Sequence, residues 1–92
     1  MHSDMNFFFA MGSNPVLLGL GIKQQGLGWH TKAVESFSSV LEDDPLNVEA
    51  LFRRGISLFR LGLFDLCSED FSIATEIAPS YKYIESAIRN LR

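Results

Sequence analysis

The sequence predicts an all-α fold, two helical hairpins followed by one further helix, and three observations carry that prediction. A shift of 34 residues aligns residues 14–47 with residues 48–81 without a gap. Ten aligned positions are identical, where typical residue usage would give about two by chance. Within each copy apolar residues recur at the 3.6-residue helical spacing, and glycine and proline interrupt both copies at the same offsets. The identities are Leu17/Leu51, Gly21/Gly55, Ile22/Ile56, Leu27/Leu61, Gly28/Gly62, Glu35/Glu69, Phe37/Phe71, Ser38/Ser72, Glu42/Glu76 and Pro45/Pro79.

The elements follow in order. Asn14 is suited to cap the first helix, and Pro15 sits at its first position, where a missing N–H costs nothing. That helix runs to Gln25 and breaks at Gly26 and Gly28. A second helix is expected over residues 31–42, with Ala33, Val34, Phe37, Val40 and Leu41 forming its apolar stripe, and Asp43, Asp44 and Pro45 ending it. Asn47 caps a third helix that reaches Leu61, and Gly62 turns the chain. Asp65 is expected to cap a fourth helix that runs to Ile77, and Pro79 closes it. Residues 80–91 have a fifth helical pattern, with Ile84, Ala87, Ile88 and Leu91 on one face, which suits a helix covering the second hairpin.

At this point the residues resemble the tetratricopeptide repeat family. Its 34-residue unit has small residues at its eighth and twentieth positions, an aromatic at its twenty-fourth and proline at its thirty-second. Those places hold Gly21 and Gly55, Ala33 and Cys67, Phe37 and Phe71, and Pro45 and Pro79. Small residues let the paired helices approach closely, the aromatic fills the wedge beside them, and proline stops the second helix. The resemblance implies antiparallel hairpins stacked as a short right-handed α–α superhelix. It divides the chain into an N-terminal apolar segment (1–13), repeat one (14–47), repeat two (48–81) and a C-terminal capping helix (80–92).

The sequence departs from the family in places. At the fourth and eleventh positions, usually large aromatics, it has Leu17 and Gln24, then Leu51 and Leu58. Gly19, Gly21 and Gly26 each cost the first helix about 0.8–1 kcal/mol relative to alanine, so repeat one is expected to be the softer hairpin. Arg54 occupies a normally apolar position and is expected to reach water or to pair with Asp43 or Asp44.

Composition narrows the function. The 92 residues are 47% hydrophobic and 21% charged, within the range of folded proteins. A net charge of −3 lacks the basic footprint that nucleic acid selects, so no nucleic-acid partner is expected. The apolar run from Phe7 to Met11 is too short for a membrane span and has no basic region ahead of it, so neither membrane insertion nor a signal peptide is expected. One cysteine, Cys67, allows no intramolecular disulfide and fits a reducing, intracellular, cytoplasmic setting.

Catalytic and metal chemistry find no footing in the sequence. The stretch GLGIKQQG at residues 19–26 resembles a phosphate loop only in its glycines; it follows no strand and lacks a Gly-Lys-Ser/Thr ending. His2 and His30 have no ligand-type neighbours at metal spacing, and His30 reads as a turn residue. Cys67 falls where the family places alanine and reads as core, with no base beside it. Glu42, Asp43 and Asp44 read as a solvated face, and the serines of SFSSV and DFSIAT as surface residues. No enzyme activity, cofactor or metal is expected.

In the family the first helix of each hairpin lines a groove with its second, fifth, ninth and twelfth positions. Here these are Pro15, Leu18, Ile22 and Gln25, then Glu49, Phe52, Ile56 and Phe59, an apolar set flanked by Arg53 and Arg60. The resemblance thus implies an adaptor or scaffold that holds a protein or peptide partner through Leu18, Ile22, Phe52, Arg53, Ile56, Phe59 and Arg60. The chaperone-tail clamp of one branch of the family is not expected, because Leu18 and Ile22 stand where that branch has Lys and Asn. The alternative is a self-assembly unit, a homodimer or other homo-oligomer, with the apolar groove as its interface.

Overall fold

The computed structural model describes residues 15–79, which form α1 (Pro15–Gly26), α2 (His30–Asp43), α3 (Val48–Arg60) and α4 (Phe64–Ile77). Each helix packs on the next, and α1 also touches α3. The result is an all-α helical-repeat fold of two stacked hairpins. Asn14, the apolar N-terminal segment and the expected fifth helix lie outside the described residues.

The two hairpins turn by the same device. Gly28 and Gly62 adopt φ of 81° and 80°, the left-handed region that a side chain strains to enter. In the first turn the Gly28 N–H bonds the Gln25 carbonyl and the Trp29 N–H reaches the Gln24 carbonyl at 2.8 Å. In the second, Gly62 bonds Phe59 and Leu63 reaches Leu58 at 2.9 Å. This is a Schellman ending, which satisfies carbonyls the helix would otherwise leave orphaned.

One core runs through both hairpins. Ala33, Phe37, Val40 and Leu41 of α2 meet Ala50, Leu51 and Phe52 of α3 and Ala74 of α4, with Leu17, Leu18 and Ile22 of α1 packed against them. The helical stripes expected from the sequence therefore face one another, and the fully buried Phe37 alone stabilises by about 1.5–3 kcal/mol. The Phe37 and Phe71 rings lie directly over Gly21 and Gly55. Cys67 is buried.

Local chemistry matches the sequence in one cap and differs in another. Asn47 caps α3, its side-chain oxygen accepting from the Ala50 N–H at 2.9 Å while its amide donates to Asp44 at 3.1 Å. Asp65 does not cap α4: the N-cap is Leu63, without a side-chain hydrogen bond, and Asp65 stands in the first turn. There a carboxylate still complements the positive end of the helix dipole.

Arg54 pairs with neither Asp43 nor Asp44. Its Nε and Nη2 donate to the two oxygens of Asp70 on α4, both at 2.7 Å, and Nη1 donates to Ser38 on α2 at 3.2 Å. Asp70 is only 3% exposed. The bidentate fork holds this carboxylate inside the hairpin, and hydrogen bonding to it raises the guanidinium pKa above its ordinary value against the lowering effect of burial. Ser36 also differs from expectation: it is buried and donates to Gln24 Oε1 at 2.7 Å, linking α1 to α2.

Candidate functional site

The seam between α1 and α3 is built by helical spacing. Leu18, Ile22 and Gln25 lie on one stripe of α1, and Glu49, Arg53, Ile56 and Arg60 on one stripe of α3. Gln25 joins the two, its Nε2 donating to the Arg53 carbonyl at 2.7 Å and to Ser57 Oγ at 2.8 Å. Ser57 is fully buried and also lies 3.0 Å from His30 Nδ1.

The seven expected contact residues separate into classes. Leu18, Ile22 and Ile56 are half-buried, each resting on the core with part of its surface open. Phe59 is half-buried and meets Phe64 edge to face at 5.4 Å. Arg53 donates to Glu49 at 2.9 Å, an i,i+4 pair worth about 0.3–0.5 kcal/mol that orients the guanidinium more than it stabilises. Arg60 is exposed and has no ion pair among the described residues.

Phe52 corrects the expected set. It is 5% exposed, its ring 6.0 Å from that of Phe71, so it serves as core and not as an open anchor.

Two features are not visible in the sequence. Along the edge where both turns lie, Trp29 and Leu61, with Gly28, His30, Thr31 and Lys32, line a cavity of about 360 Å³. Trp29 is 55% exposed there. The second is the clasp of Gln25 and His30 on Ser57. Nothing in the sequence marks it, because Ser57 aligns with Lys23 in the other copy and its partners are fixed only when the hairpins stack.

Burial, with a smaller contribution from Asp70, pushes the Cys67 thiol pKa up, which is opposite to what a nucleophile needs. Among the described residues no three His, Cys, Asp or Glu side chains group as metal ligands, and no helix is long and apolar enough to cross a membrane.

No family model matches the chain. It is similar to Outer envelope protein 61 of Arabidopsis thaliana, 36% identical over 63 residues, and to Tetratricopeptide repeat protein 14 of Mus musculus, 33% identical over 63 residues. Each alignment covers 68% of this chain but only 11% and 8% of those relatives, respectively. The likeness to the second is to a protein named for the repeat.

Proposed function

We propose that the chain carries two tetratricopeptide repeats and works as a non-enzymatic protein-interaction module. A peptide or helix of a partner protein lies along the α1–α3 seam, with Leu18, Ile22 and Ile56 as apolar contacts, Phe59 at one end and Arg60 available to an acidic flank. The observation that carries this reading is the half-burial of Leu18, Ile22 and Ile56: each is held by the core yet keeps a face open, a preorganised apolar strip. Similarity to a protein named for tetratricopeptide repeats supports the class. The test is an affinity capture from cell extract with wild type and with Ile22→Ser/Ile56→Ser, circular dichroism confirming that both are folded. A partner retained by wild type and lost by the variant supports the seam; a partner held equally by both removes it.

A second reading, self-assembly, has its own supporting observation. The α1 surface opposite the hairpin leaves Val16 81% exposed, with Leu20 and Leu27 also exposed. These three align with Ala50, Arg54 and Leu61, of which Ala50 and Arg54 face hairpin one. An apolar surface at the positions used for hairpin stacking is suited to a second copy. Size-exclusion chromatography with light scattering tests it: a dimer that Val16→Ser/Leu20→Ser disperses supports assembly, and a concentration-independent monomer removes it.

A further inference from the structure

We infer that the edge carrying the two hairpin turns docks on an anionic lipid surface. Leu27, Trp29, Leu63 and Phe64 enter the headgroup layer, and Lys23, Lys32 and Arg60 meet its negative charges. The fold leaves this edge apolar without using it. Leu27 and Trp29 at the first turn and Leu61, Leu63 and Phe64 at the second are all exposed, Phe64 to 58%. Leu61 lines the cavity beside Trp29, so the two turns adjoin. Residues 62–66 line a second cavity of about 350 Å³ at the equivalent place in the next repeat. The left-handed glycines and the carbonyl bonds of each turn hold these side chains on one edge before any contact is made, so little ordering remains to be done on docking.

Charge separates along the helices in the same sense. Residues 23–32 and 57–66 contain Lys23, Lys32 and Arg60, all exposed, against one acid, Asp65. Residues 40–49 and 74–79, at the other ends of the helices, contain Glu42, Asp43, Asp44, Glu49 and Glu76 and neither lysine nor arginine. The 14 residues of α4 span about 21 Å. Salt at physiological strength screens charge beyond about 8 Å, so a surface touched by the basic edge scarcely feels the acidic one.

Lipid suits this edge better than a peptide does. The apolar side chains belong to two turns with two separate cavities, and a deformable plane meets them all at once where an extended chain would need one groove. Tryptophan favours the boundary between headgroups and acyl chains, and each lysine or arginine near an anionic leaflet strengthens binding about fivefold. The contact is peripheral, since no helix among the described residues is long and apolar enough to cross a membrane. The edge shares only Arg60 with the α1–α3 seam, so the inference is independent of the partner reading.

The test uses Trp29, the single tryptophan of the chain, as its reporter. The full chain is mixed with vesicles of phosphatidylcholine and phosphatidylserine in equal parts, and Trp29 emission and co-sedimentation are followed. The expected result is a blue shift together with sedimentation, both weakened by added salt. Lys23→Gln/Lys32→Gln weakens binding about 25-fold, and Leu27→Ser/Leu63→Ser also weakens it, circular dichroism confirming that each variant is folded. Absence of sedimentation overturns the inference, and a blue shift produced instead by an acidic, leucine-containing peptide reassigns the edge to a protein partner. Sedimentation without an emission shift, or unchanged in both variants, also overturns it, because another part of the chain then holds the lipid.

Discussion

The ring of Phe37 fills the space that a side chain on Gly21 would need: an ideal Cβ there would lie 2.6 Å from Phe37 Cε1. One repeat later Gly55 and Phe71 stand in the same relation, with the corresponding distance 2.5 Å. Two glycines that weaken their helices in isolation are thus required by the close approach of the helix that follows.

Gly21→Ala and Gly55→Ala are therefore expected to destabilise although alanine favours helix by about 1 kcal/mol, since overpacking costs roughly 1–3 kcal/mol. Gly21→Ala costs more, because Phe37 is fully buried while Phe71 is half-buried and has room to shift. Gly19 is the contrast, because a Cβ placed on it would meet nothing within 4 Å. Gly19→Ala therefore stabilises by up to about 1 kcal/mol. Urea unfolding followed by circular dichroism orders the three variants.

Gly28→Ala and Gly62→Ala strain the two turns directly, each costing about 1–2 kcal/mol for a left-handed residue with a Cβ. A Cβ at either position would have no neighbour within 4 Å, so the loss comes from backbone conformation alone. Asparagine, which tolerates that region, recovers part of it in the same unfolding assay.

Arg54→Ala leaves the Asp70 carboxylate, 4% exposed as a side chain, without its fork, and costs about 3 kcal/mol. Asp70→Ala costs less, because the Arg54 side chain is 25% exposed and reaches water. The double variant is less destabilised than the sum of the two, which a double-mutant cycle measures. Equal single losses that simply add would show that the pair contributes no coupling.

Cys67 is expected to react with a thiol reagent more slowly in the native chain than in the unfolded one, because burial both shields it and raises its pKa. The sign for stability follows. A raised native pKa gives a contribution that is full below the ordinary thiol range and is lost as pH rises through the native value. Cys67→Ala lacks that component, so its stability falls less between neutral and alkaline pH.

Much of the fold is legible because it rests on local chemistry. Phe37, Val40 and Leu41 announce a helix by their spacing, Asn47 announces a cap, and Gly28 and Gly62 announce turns at matched offsets. The candidate site is less legible, since it depends on which residues meet across elements. Phe52 reads as a groove residue along α3, yet Phe71 and the core enclose it. Arg54 reads as a partner for the nearest acids in the chain, yet the geometry of α4 brings Asp70 to it instead.

The sequence by itself determined the repeat, the helical class and the turns, because periodicity, capping and left-handed glycines act over a few residues. Only the tertiary structure decided which side chains are core and which are open, and which polar groups pair. Those outcomes follow from the distance and rotation between packed helices, where Gln25, His30 and Ser57 are brought together from three separate helices. The same holds for Gly21 and Phe37: the sequence marks a small residue and an aromatic, and the packing makes each one necessary to the other.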